Sequence, residues 1–174
     1  MAVKELQLVP VGPVSGVFLK ELEAPIAQVL GVSAYLGKAL LSQPAFAFNK
    51  DRNQYHTTAI MRRLLTLKDM GTPLIIGVAD VDLFVPDSPF VYGEADRESH
   101  AAVMSLWRLK GEGEAWKRRT FVEAVHQAGH LVGLSYCEDA RCAMYLATTI
   151  TDAERRQLHL CNNCRNELAK IRRV

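Results

Sequence analysis

His126 and His130 stand four positions apart in the run Glu123-Ala-Val-His-Gln-Ala-Gly-His130. On a helix that spacing stacks two imidazoles on one face, one turn apart, where both can reach one metal ion. All four cysteines follow closely: Cys137, Cys142, Cys161 and Cys164, in the pattern C-x4-C, a gap, then C-x2-C. Two thiol pairs at short spacing suit a tetrahedral zinc ion held by four thiolates at about 2.3 Å each. Cys161-Asn-Asn-Cys164 has the form of a metal knuckle. An iron–sulfur cluster also takes four thiolates, and four buried free thiols are the plainest alternative. Disulfides are the weaker reading for a chain expected in a reducing compartment.

The rest of the chain must position these groups. It has 174 residues, which suits one domain, with 49% apolar and 23% charged residues. Lys and Arg number 21 against 19 Asp and Glu, a net charge of +2. That balance does not announce a nucleic-acid or membrane-surface binder. No apolar run reaches the roughly 18 residues of a membrane span. The start, MAVKELQLVPVGP, lacks the pattern of a signal peptide, so a cytoplasmic location is expected.

Apolar runs predict strands at Glu5–Val11, Val32–Ala39, Leu74–Val78, Phe90–Tyr92 and Ala102–Leu109. Helical spacing of Phe18, Leu19, Leu22, Ile26 and Val29 predicts a helix over Ser15–Leu30, kinked at Pro25 or starting late, and ended by Gly31. Pro44–His56 reads as loop. A helix capped by Thr57 or Thr58 runs to about Leu67. Lys110–Glu114 is a charged loop, and Ala115–Leu131 is a long helix stopped by Gly133 that carries the histidine pair. Thr151 or Asp152 opens a basic helical C-terminal region. The expectation is a mixed α/β domain with one sheet and three helices.

The segment His126-Gln-Ala-Gly-His130-Leu-Val-Gly133-Leu-Ser-Tyr136-Cys137 resembles the zinc helix of metzincin peptidases. Continued through Cys142-Ala-Met144 to Cys161-Asn-Asn-Cys164, it resembles the archaemetzincin family specifically, with the gap from Met144 to Cys161 one residue shorter than that pattern. Asp51–Tyr55, Ala79–Leu83, Phe90–Ala95 and Val103–Leu109 are also similar to family segments. The resemblance implies a metzincin-like fold, α/β (mixed): a twisted mixed sheet, a backing helix, an active-site helix and a C-terminal segment bound to zinc through four cysteines. It implies a single domain over 1–174, with sheet and helices in 1–133 and the Met-turn and zinc segment in 134–174. It implies two Zn²⁺ sites, a structural one on Cys137, Cys142, Cys161 and Cys164, expected full, and a cleft one on His126 and His130, expected partly filled or empty. Met144 takes the place of the Met-turn floor. Phe90, Val91, Tyr92, Gly93 and Glu94 take the place of the edge strand along which peptide substrates add.

Two positions depart from the family pattern. Gln127 stands where the family has the catalytic glutamate, which takes a proton from the attacking water and returns it to the leaving amine. A neutral amide cannot accept that proton, although it can hold a water by hydrogen bonds. Tyr136 stands where the family has its third histidine ligand. A phenol ionises near pH 10, so Tyr136 is a weak ligand or swings away. Glu123, one turn earlier, reaches the cleft only through an intervening water. It reads as a helix-surface or supporting carboxylate, and Asp80, Asp82 and Glu94 read as structural or solvated. His159 reads as packed or exposed rather than ligating. The sequence therefore predicts a peptide-binding homologue of a zinc peptidase, impaired or inactive. An active hydrolase with another base is one alternative. A zinc-stabilised nucleic-acid module is the other, built on Arg155, Arg156, Arg165, Lys170, Arg172 and Arg173. That basic stretch lacks interleaved aromatics and reads as a solvated face. Peptide or protein partners are expected and a membrane is not. No oligomeric state follows.

Overall fold

The computed structural model describes residues 4–111 and 113–174. In chain order the elements are β1 (Glu5–Val11), α1 (Gly16–Lys20), α2 (Glu23–Leu30), β2 (Ser33–Leu36), a 3-10 turn (Ala45–Ala47), β3 (Phe48–Asn49), β4 (Gln54–His56), α3 (Thr57–Leu65), β5 (Leu74–Ala79), β6 (Leu83–Phe84), β7 (Gly93–Asp96), β8 (Ala101–Ser105), α4 (Ala115–Val132), α5 (Ile150–Arg155) and α6 (Asn162–Arg172). Among the described residues they form a mixed α/β fold with two mixed sheets rather than one.

The main sheet has the order β2-β1-β5-β8-β7. Its first four strands are parallel, and β7 runs antiparallel to β8 at the edge. Every residue of β5 is buried, as a central parallel strand covered on both faces should be. Leu74, Ile76 and Val78 face the larger core with α2 and α4, while Ile75 and Ala79 face a second core with α3. Between them Gly77 leaves room for α3: a Cβ there would lie 2.6 Å from a Leu64 methyl. Gln7 is fully buried inside β1, and its amide is satisfied by the Leu67 carbonyl and the Asp69 N–H.

Several sequence expectations shift. The Ser15–Leu30 helix breaks before Pro25, at Glu21–Leu22, which puts Pro25 in the first turn of α2, where its missing N–H goes unused. The expected loop 44–56 contains the β3–β4 hairpin. Its polar Asp51–Asn53 stretch is the turn, with Asn53 left-handed at φ 55°. The capping position of α3 is His56, without a side-chain bond, whereas Thr57 is buried inside the helix. Phe90, Val91 and Tyr92 precede the edge strand instead of forming it. Val91 makes an isolated bridge to Leu83, and β7 begins at Gly93. β8 ends at Ser105 because the Ser105 hydroxyl bonds Val81 and Trp107 and turns the chain. The loop expected at Lys110–Glu114 includes Glu112, which lies outside the described residues. Among the described residues six α-helices replace three, since α1, α5 and α6 are separate elements. No helix among the described residues is long and apolar enough to cross a membrane.

Candidate metal centres

α4 is the element that gathers the first centre. It packs beside β7 and β8 and buries both histidines. His126 Nδ1 lies 2.8 Å from the Ala143 carbonyl and His130 Nδ1 lies 2.9 Å from the Leu134 carbonyl. A carbonyl only accepts, so each Nδ1 carries the hydrogen and each Nε2 keeps a lone pair. Those two Nε2 atoms face each other at 3.1 Å. Burial pushes both imidazoles toward the neutral form, and mutual repulsion adds to this at His130, which is lowered to about 4. Two opposed lone pairs this close repel each other, and a cation between them would remove the conflict. Ligands at about 2.0–2.1 Å around a tetrahedral ion lie roughly 3.3 Å apart, close to the spacing here.

The chain around the pair holds both rings in place. Gly133 ends α4 with φ 116°, a conformation that suits glycine, and reverses the chain so that Leu134 returns its carbonyl to His130. Arg97 donates from Nε to the His130 carbonyl at 3.1 Å and from Nη2 to the Leu134 carbonyl, fixing the same turn. Met144 is fully buried beneath the helix. Gly129 makes room for it: a Cβ there would lie 2.5 Å from the Met144 sulfur. Tyr136 remains 58% exposed, its ring centroid 4.4 Å from His130 and 5.8 Å from His126. Burial, then Glu94 and Glu123, push its phenol up, against ionisation.

Gln127 is buried. Its Nε2 donates to Glu123 Oε1 at 2.8 Å, and its Oε1 has no partner. Glu123 Oε2 in turn pairs with Arg156 Nη2 at 2.8 Å. Burial pushes the Glu123 carboxyl up, but Arg156, His126 and the hydrogen bonds from Arg156 and Gln127 outweigh it and hold it below the usual range. Glu94, on β7, is pushed up by burial and by Asp96.

The second centre joins Cys137, Cys142, Cys161 and Cys164, whose sulfurs all lie within 4.8 Å of one another. This group could hold a metal ion. Cys137 and Cys161 sulfurs are 3.6 Å apart, near the edge of about 3.8 Å that a tetrahedron of 2.3 Å Zn–S bonds requires. All four cysteines are free. Backbone N–H groups of Asp139, Met144, Cys161 and Cys164 point at the sulfurs of Cys137, Cys142, Cys142 and Cys161, favouring thiolates. Burial, then the nearby Cys142, push Cys164 well up. A bound cation would remove that conflict.

Other candidates resolve as structural. Asp80 pairs with Lys110 and Asp82 with Arg108, and His159 is exposed outside the cysteine group. One reading is corrected. Arg156, placed with the solvated basic stretch, is fully buried. Neither it nor Arg97 carried a sequence signal, because each acts through a partner more than 30 residues away.

The model of peptidase family M54 matches residues 15–170. Archaemetzincin of Methanocaldococcus jannaschii is 33% identical over 166 residues, spanning 91% of this chain and 89% of that protein. Archaemetzincin of Archaeoglobus fulgidus is 32% identical over 122 residues, 70% of this chain and 72% of the relative. The crystal structure of archaemetzincin from Methanopyrus kandleri superposes with a TM-score of 0.88 at 26% identity, covering 99% of this chain and 97% of that one. That of the Archaeoglobus fulgidus protein complexed with malonate gives 0.80 at 25% identity, over 94% and 99%. Matched along nearly its whole length by the family model, by relatives and by solved folds, the chain belongs to peptidase family M54, the archaemetzincins.

Proposed function

We propose that this chain is an archaemetzincin-type zinc peptidase homologue that binds extended peptides along β7 and hydrolyses them feebly or not at all. The observation that carries this reading is the hydrogen bonding of Gln127. Its amide is donated to Glu123, and the position that needs a proton acceptor of carboxylate strength offers a neutral oxygen. Glu123 is no substitute, because Arg156 and Gln127 occupy both its oxygens.

Cys137, Cys142, Cys161 and Cys164 would hold a structural Zn²⁺ tightly. His126 and His130 would hold a second zinc with two imidazoles, and Tyr136 adds little while its phenol stays protonated. Zinc in the cleft would supply Lewis-acid polarisation of a peptide carbonyl. Met144 supports the pair from below. β7 has a strand neighbour on one side only, so its other edge can take an extended peptide as a further strand. Its residues Gly93 and Glu94 lie in that edge, with Phe90, Val91 and Tyr92 leading into it. The burial of Arg156 weakens the nucleic-acid alternative, since it removes one of the six basic residues that reading was built on from the exposed face.

A repair series tests the reading. General-base catalysis contributes about 10²–10⁴-fold, and a loosely held metal forfeits polarisation as well. Both defects act on one step, so repairs should be non-additive. Gln127→Glu alone should restore little, Tyr136→His alone should restore zinc affinity without cleavage, and the double variant should recover cleavage of unstructured peptides. A double variant that binds zinc fully yet cleaves nothing in a broad peptide library would show that the cleft has lost more than these two residues.

A further inference from the structure

Glu123 and Arg156 form the only fully buried ion pair among the described residues. Such a pair adds little net stability, since desolvation offsets its attraction. Its position suggests another use. Arg156 lies between Met144 and the second cysteine pair, and its Nη1 donates to the Tyr145 carbonyl at 3.1 Å. Its own carbonyl accepts from Arg118 Nη1 at 2.7 Å, so the residue is anchored at both ends. Glu123 is thereby fixed as well, with Oε2 on Arg156 and Oε1 facing Gln127.

A carboxamide has two ends of similar shape and opposite function, one accepting and one donating. A carboxylate paired with a guanidinium accepts only, so it takes the NH₂ end of Gln127 and leaves Oε1 over. That oxygen is buried without a partner. The edge strand leaves the carboxamide space: a Cβ on Gly93 would sit 2.6 Å from Gln127 Nε2 and 2.8 Å from the Val103 carbonyl.

We propose that Glu123 and Arg156 are positioning residues that fix the Gln127 carboxamide so that its oxygen, not its NH₂, is the group offered to a ligand. His126 Nε2, His130 Nε2 and Gln127 Oε1 are then three buried acceptors on α4, none of them carrying a hydrogen. Such a set welcomes a cation or a ligand N–H. A flipped carboxamide would turn the positive end of its dipole toward a metal. The proposal rests on the reading of the histidine pair as a metal site.

The test uses the full ¹⁵N-labelled chain with zinc kept on the cysteines. The Gln127 NH₂ signals are identified by their disappearance in Gln127→Glu. In the unmodified chain and in Arg156→Lys, which can keep the ion pair, these signals should exchange slowly with solvent. In Glu123→Gln, where position 123 can donate as well as accept, the protection should be lost. Zinc affinity at the histidine pair should fall by about 10–100-fold, the usual effect of losing a partner behind a metal site. Unchanged signals, or lost protection with unchanged zinc affinity, would overturn the proposal. Should Glu123→Gln fail to fold, the paired change Glu123→Leu with Arg156→Met removes both charges at similar volume, and unchanged zinc affinity there overturns it equally. Neither readout involves cleavage, so this proposal and the impaired-peptidase reading can fail separately.

Discussion

The chemistry of the cleft comes down to where hydrogens sit on three side chains. Both imidazoles commit their Nδ1 hydrogen to backbone carbonyls, and Gln127 commits its amide to Glu123. This arrangement has a pH signature in the chain stripped of cleft metal. His130 has a folded-state value of about 4 against 6.5 in the unfolded chain, so folding opposes its protonation. The stability tied to neutral His130 is fully present above about pH 6.5 and is lost progressively as pH falls toward 4, where the loss levels off. Denaturant unfolding from pH 7.5 to 4 should show the decline. His130→Asn, which has no proton to gain, should make it shallower, and His126, also held toward the neutral form by burial, supplies what decline remains. An equal slope in that variant would mean other groups govern the transition. The pairing of the histidines was legible from their i, i+4 spacing. The fate of Gln127 was not, because the partner that immobilises its carboxylate neighbour is 33 residues away in sequence.

At the scale of elements, α4 and the apolar strands β1 and β5 were legible from helical spacing and apolar runs, although α4 is buried on every side from Val122 to Val132, polar residues included. β7 was not. Gly93-Glu-Ala-Asp96 has poor strand propensity, and only its pairing with β8 makes it a strand. The aromatic run Phe90–Tyr92 looked the better candidate, but its Phe90 and Tyr92 serve a small core with Leu109, Ala147 and Ala153. The contact of α4 with the Met144 turn also escapes the sequence, since Gly129 gives no sign of what needs its missing side chain. Gly129→Ala tests that contact. Alanine favours a helix by about 1 kcal/mol, whereas crowding a packed core costs about 1–3 kcal/mol. Met144 is fully buried and has little freedom to retreat. A melting temperature lower by a few degrees is expected, and a rise would show that the turn yields without cost.

For the whole molecule, the C-terminal segment is joined to the sheet domain through α4. Ala143 holds His126, Met144 fits under Gly129, and Arg156 holds Glu123, all within the stretch bounded by Cys142 and Cys161. A metal on the four cysteines would therefore fasten the floor of the cleft, with its binding energy counted as folding energy for that stretch. Cys161→Ser should release one zinc per chain and increase hydrogen exchange from Cys137 to Cys164 while leaving β1 and β5 protected. Unchanged exchange across that stretch would detach the cysteine group from the fold. The cysteine spacing announced such a metal group; the tertiary links that make it matter to the cleft could be seen only in three dimensions.

The central claim concerns what this cleft does to a peptide, and the unmodified chain tests it most directly. Saturated with zinc and offered a library of unstructured peptides at neutral pH, it should bind extended peptides but show little or no chelator-sensitive cleavage above the peptide-only control. Robust cleavage that disappears with chelator and returns with zinc would contradict the claim, and would mean that a base other than the residue at position 127 serves the reaction.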